Sequence, residues 1–194
     1  MGKSKKLFYA LATLMGAIVI ISNYLVQHPV KIFGLQDLLT YGAFSYPITF
    51  LITDLANRAF GKNVARKIVY IGFSIGIFLT LVVSTNFSDL ISIRIAIGSG
   101  VAFFVAQNLD VSIFHRLRKF KLWYIAPFSS SIIGSIVDTF LFFSIAFYAT
   151  ELPWLSLAFG DLTVKLFVAL VMLIPFRLFI NKIKDYEPLN KKRV

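Results

Sequence analysis

A chain of 194 residues with 58% hydrophobic and only 15% charged residues, and a mean hydropathy of +0.79, has too little polar surface to cover a soluble core. It reads as an all-α, polytopic membrane protein, and the absence of cysteine excludes disulfides, thiol chemistry and Cys-containing metal sites. A net charge of +11 would suit a nucleic-acid partner, but the basic residues lie between apolar runs in a pattern of membrane topology, so the partner expected is the lipid bilayer and not nucleic acid.

Residues 1–6 form a basic leader, followed by an apolar run over 7–26 that is long enough to cross a bilayer and longer than a signal-peptide core, so it is expected to be retained. His28, Pro29 and Lys31 make the first loop. A second span runs over 38–53 and continues as polar helix to Phe60, with Gly61 as its C-cap. Gly42 and Pro47 inside it predict a kink or broken turn. Further spans are expected over 67–84, 93–113, 125–149 and 155–180, and residues 181–194 form a charged tail. With no repeat or low-complexity stretch, the expectation is one six-helix transmembrane domain over 1–194.

Lysine and arginine positions set the orientation. Seventeen of the twenty fall in the leader, in the loops after spans two and four and at the C-terminal end, leaving Lys31, Arg94 and Lys165 for the opposite side. By the positive-inside rule both termini are cytoplasmic. Trp123 and Tyr124 inside, and Tyr24, Tyr148 and Trp154 outside, fall at interfacial positions.

The stretch from Tyr46 to Gly61 is largely apolar at first and then carries Asp54, Asn57 and Arg58 on one helix. A charged side chain inside a span costs roughly 2.5–3.5 kcal/mol on insertion scales, so such residues face a partner or a polar cavity. Asp54 and Arg58, four apart, are spaced to pair as an ion pair or gate. Asn23 and Gln27 share a face near the outer end of span one, and Gln107 and Asp110 lie toward the inner end of span four, where Asp110 can also cap or snorkel to the basic loop. Ser131, Ser135 and Asp138 form one stripe on span five; serines there are ordinary packing residues, whereas a mid-span Asp138 needs a partner, and Lys165 on span six is the expected countercharge. Gly72 and Gly76 permit close approach of another helix, within the bundle or in a homodimer. His28 and His115 are read as solvated loop residues. No GxxxxGK[ST] stretch or HExxH occurs, so no ATP hydrolysis, metal, cofactor or enzymatic activity is expected.

Several long words carry a specific resemblance: SNYLVQHPV from Ser22, GAFSYPITFLITDLANRAFG from Gly42 with Ala65 and Arg66 beyond it, LDVSIFHRLR from Leu109, and WYIAPFSSSIIGSIVDTFLFFSIAF from Trp123. Together with Lys165 they resemble the queuosine-precursor branch of the vitamin uptake transporter family, six-helix bacterial inner-membrane proteins. Arg58, where the wider family often carries Glu, is similar to the queuosine-precursor form. The resemblance implies import of 7-cyano-7-deazaguanine or 7-aminomethyl-7-deazaguanine for tRNA modification. It leaves open a substrate-binding subunit working with a separate ATPase and coupling subunit, or a transporter of another small heterocyclic nutrient. A deazaguanine presents N1–H beside an exocyclic amine, which a carboxylate such as Asp138 or Asp54 can accept. Its carbonyl would take a donor from Lys165, Gln107 or Asn23, and its faces would take walls such as Phe44, Tyr46 or Phe50. The implied division is an outer-to-middle substrate pocket (Asn23, Gln27, Phe44, Tyr46, Asp138 and Lys165) above an inner gate (Asp54, Arg58, Gln107 and Asp110).

Overall fold

A computed structural model describes residues 3–83 and 87–183. The first residues of the leader, the end of the third expected span at Ser84 and the charged tail from residue 184 lie outside the described residues. These residues form seven helices in chain order: α1 (Lys3–Leu25), α2 (Gly42–Ser45), α3 (Pro47–Phe60), α4 (Lys62–Val83), α5 (Leu90–Leu117), α6 (Ile125–Phe147) and α7 (Trp154–Ile183), with a 3-10 turn at Ile32–Asp37. Among the described residues there is no strand, only an isolated bridge between Pro29 and Thr40. Among them too, four helices, α1 from Ser4, α5, α6 and α7, are long and apolar enough to cross a membrane.

The second span is broken where its sequence expects. Pro47 has no amide to donate to the carbonyl one turn back, so the chain stops α2 at Ser45 and restarts as α3, with Thr49 N–H reaching Tyr46 O at 2.9 Å in a tighter turn. Gly61 ends α3 at φ 82°, a left-handed backbone that favours glycine. Together α2 and α3 cover about 28 Å at 1.5 Å per residue, roughly one bilayer core. The start of α5 is fixed by Asp89, whose carboxylate accepts from the amides of Ile91 and Ser92, each at 3.1 Å.

The bundle has a polar interior and an apolar exterior. Asn23, Thr53, Asp54, Gln107, Asp110, Asp138, Asp161 and Lys165 are buried, while Phe78, Phe167, Ile174 and Leu178 project outward. Water would not tolerate that distribution and lipid does, because only lipid leaves the apolar exterior without penalty. Gly72 and Gly76 turn inward: the place of a Gly72 Cβ is occupied by Met15, and that of Gly76 by Val19, so α1 is the helix they admit. Arg94 donates to Ile145 O at 3.0 Å and Tyr148 O at 2.6 Å, satisfying carbonyls at the end of α6. Val30 and Leu39 pack with Ala43 and Val164, so the connection between α1 and α2 lies against α7.

Gly160 on α7 is pressed against the backbone carbonyl of Leu38, with no room for a Cβ, whereas a Cβ on Gly100 would meet the end of Ile77 at 3.5 Å and the Phe73 ring at 3.8 Å, both ordinary contact distances. Gly160→Ala is therefore expected to lower the thermal stability of the purified protein by about 1–3 kcal/mol, because a backbone carbonyl has to move. Gly100→Ala should be neutral or stabilising by about 0.5–1 kcal/mol. Melting the two variants side by side in detergent checks the pair, and equal melting temperatures would contradict the packing described.

Candidate functional site

Lys165 is the hub of one half of the polar interior. Its Nζ lies 2.9 Å from Asp138 Oδ2 on α6 and 2.6 Å from Asp161 Oδ2 one turn earlier on α7. It also donates to Thr139 Oγ1 at 3.2 Å, and Thr139 donates in turn to Asp161 Oδ2 at 2.8 Å. Lys165 is 2% exposed and both carboxylates are comparably buried. Two carboxylates around one ammonium carry a formal charge of −1, so the cluster holds more acceptor capacity than its own lysine and hydroxyl consume.

Tyr46 joins this cluster to α1 and α5. Its ring lies 5.2 Å beneath the Lys165 ammonium, and its hydroxyl donates to Asn23 Oδ1. Ser99 donates to the same Asn23 oxygen at 2.5 Å, and a Ser22–Ser45 hydrogen bond of 2.7 Å ties α1 to α2 beside it. Tyr46 reaches this place because it stands at the break between α2 and α3, held by the Pro47 restart.

Below it lies a middle layer. Gln107 Nε2 donates to Thr49 Oγ1 at 2.8 Å, and its Oε1 lies 2.5 Å from Thr53 Oγ1, so α3 and α5 are joined two turns below Tyr46. The next layer is acidic. Asp54 accepts from Ser130 on α6 at 3.3 Å and faces Asp110 on α5, which is 0% exposed. Asn57 closes this end, donating to Val111 O at 2.9 Å while its own carbonyl accepts from Arg118 at 2.6 Å.

Each expected residue has a definite place. Asn23, Tyr46, Asp138 and Lys165 come together, and so do Asp54 and Asp110, with Gln107 between the two groups. Gln27 does not join them: it is exposed and donates to its own Asn23 carbonyl at 3.2 Å. Phe44, 47% exposed, also points away, because the short α2 turns its neighbours Ala43 and Ser45 inward instead. The expected Asp54–Arg58 ion pair is not formed; Asp54 is occupied by Ser130 and Asp110, and Arg58 lines a separate cavity with Arg118, Lys121 and Arg177. Asp110 does not snorkel to the basic loop but is enclosed. Phe50 is buried, packed where a side chain on Gly134 of α6 would stand.

Asp161, Thr139 and Ser99 escape sequence reasoning. Asp161 has a readable signal, its four-residue spacing to Lys165 on one helix. Ser99 and Thr139 have none, since single hydroxyls in apolar spans are common and only the neighbouring helices give these two a partner. Among the described residues no group of three or more His, Cys, Asp or Glu side chains is placed to hold a metal ion.

Residues 40–180 match the family described as putative vitamin uptake transporter. The chain belongs to this family. Within it, the chain is 39% identical to a probable queuosine precursor transporter of Haemophilus influenzae, over 81% of this chain and 79% of the relative. It is 33% identical to the queuosine precursor transporter of Escherichia coli (87% and 86%), and 30% identical to a probable queuosine precursor transporter of Bacillus subtilis (82% and 78%). No solved structure matches the chain.

The cluster predicts an asymmetry between its charges. Lys165→Met leaves two buried carboxylates facing each other without a cation and should cost about 3–5 kcal/mol, seen as a large fall in melting temperature or in folded protein recovered. Asp161→Asn keeps the Lys165–Asp138 pair and should cost markedly less. If the two variants melt alike, Lys165 is not what holds the carboxylates together.

Proposed function

We propose that the protein imports a queuosine precursor, 7-cyano-7-deazaguanine or 7-aminomethyl-7-deazaguanine, across the bacterial inner membrane for tRNA modification. The observation that carries this reading is the buried Asp138–Lys165–Asp161 cluster above Tyr46, in a chain whose relatives bear that name. A guanine-like edge offers two adjacent N–H donors and one carbonyl, which complements a carboxylate beside an ammonium. Asp138 would accept from N1–H and the exocyclic amine, Lys165 would donate to the carbonyl, and the Tyr46 ring would lie against the heterocycle. No hydrolytic or redox step is asked of any of these residues, and the family's description as a putative vitamin uptake transporter supports a transport role.

The fold is read as six crossings, with α2 and α3 together making the second and both termini cytoplasmic. The support is the length of α2 plus α3 and the gathering of Arg58, Lys62, Arg116, Arg118, Lys119 and Lys121 at one end of the bundle. In that orientation the Lys165 cluster lies in the outer half and the Asp54–Asp110 pair in the inner half. Substrate would arrive from outside when the α1–α2 connection leaves α7, and would depart past Gln107 when the contacts of Asp54, Asp110 and Ser130 separate. The inner gate is thus a contact between acids and a hydroxyl, not a salt bridge.

The test uses cells that can neither make the precursor nor import it, with this chain as the sole addition. Queuosine should reappear in tRNA at low external precursor, and Asp138→Asn should reduce initial uptake at least about tenfold at equal membrane abundance, as expected when a charged hydrogen bond to the substrate is lost. Asp54→Asn should retain precursor binding by the purified protein while slowing delivery. Unchanged uptake by Asp138→Asn would remove that residue from the pocket, and absence of queuosine with the wild-type chain in the membrane would overturn import by this chain alone.

A further inference from the structure

At the end of the bundle remote from Lys165, a cavity of about 340 Å³ opens between α3, α5, the α5–α6 connection and α7. It lies within the size range of small-ligand sites, about 300–1,000 Å³. Four cations line it, Arg58, Arg118, Lys121 and Arg177, and among the described residues no carboxylate does. Like charges gathered in one concavity repel one another unless an anion joins them. The crowding is visible at Arg118, whose guanidinium is pushed below its ordinary range by partial burial and by Arg58. The arrangement is also built and not merely loose surface charge. Arg118 is fixed by its 2.6 Å bond to Asn57 O, and Arg177 is laid over the Trp123 ring at 4.9 Å. Three of the four are arginines, whose planar fork matches phosphate oxygens in pairs.

We propose that this cavity binds a phosphate-bearing anion, clasped by Arg58, Arg118, Lys121 and Arg177 against the Trp123 wall. The anion draws together α3, α5 and α7, the helices that carry Asp54, Asp110 and Lys165. Its chemistry is shared by two sources, a free phosphate compound and the headgroup of an anionic phospholipid. Placement on the cytoplasmic side follows from the orientation proposed above, whereas the cavity and its charge stand without it.

Trp123 makes the site readable, because the chain has only two tryptophans and Trp154→Phe leaves it alone. The full chain carrying Trp154→Phe is placed in phosphatidylcholine nanodiscs, and Trp123 emission and melting temperature are followed as inorganic phosphate is added at constant ionic strength. A second series raises the fraction of phosphatidylglycerol instead. A saturating response with a rise in melting temperature in the first series assigns the site to a soluble phosphate, and a response confined to the second assigns it to the lipid. In either case Arg177→Gln and Lys121→Gln, both exposed positions whose replacement leaves the buried layers intact, should each weaken the apparent affinity about tenfold. No response in either series, a response that chloride reproduces, or affinities unchanged in both variants would overturn the proposal.

Discussion

A lysine ammonium held between two carboxylates inside an apolar bundle is the constraint on which the rest of the structure turns. Removing three charges from water is expensive, and mutual attraction offsets that cost only when geometry and hydrogen bonding are close to ideal. Here Asp138 comes from α6, while Asp161 and Lys165 come from α7, so the pairing requires the two helices to meet in one register. Thr139 links ammonium and carboxylate and leaves little tolerance for a slip. With a formal charge of −1, the cluster keeps acceptor capacity beyond what Lys165 and Thr139 take up.

The other polar layers depend on the same helix pairings but differ in chemistry. The Lys165 layer is ionic, the Gln107 layer is an amide between two threonines, and the Asp54 layer is a pair of acids with a serine. Tyr46 and helix α3 together contribute to every layer: Tyr46 at one end, Thr49 and Thr53 in the middle, Asp54 below. These residues sit at intervals of three, four and one, so one face of α3 turns toward the polar interior. The break at Tyr46 and Pro47 aims that face, with Tyr46 turned beneath Lys165 while Phe44 is left outside.

Close packing at small residues helps to hold these layers in place. Gly72 and Gly76 bring α4 onto Met15 and Val19 of α1, and Gly160 brings α7 onto the backbone at Leu38. In lipid there is no hydrophobic drive between helices, so van der Waals contact at small residues carries more of the association.

What the sequence by itself determined follows from solvent and backbone chemistry: an all-helical membrane protein, the break before Pro47, the end of α3 at Gly61, and the Asp138–Lys165 pairing. Each of these has a local or compositional cause. Apolar runs must be helical in lipid, proline lacks a donor, glycine alone adopts the left-handed cap at ease, and a lone buried acid requires the nearest available cation. Only the tertiary structure decided which of two faces a polar residue serves. Asp54 and Arg58 are spaced to pair, yet the α5 and α6 groups that meet Asp54 draw it inward while Arg58 goes to the basic cavity. Asp161, Thr139 and Ser99 became part of the site for the same reason. A side chain's partner in a bundle is set by the rotation and depth of the neighbouring helices, and those come from packing across long sequence separations that no local spacing encodes.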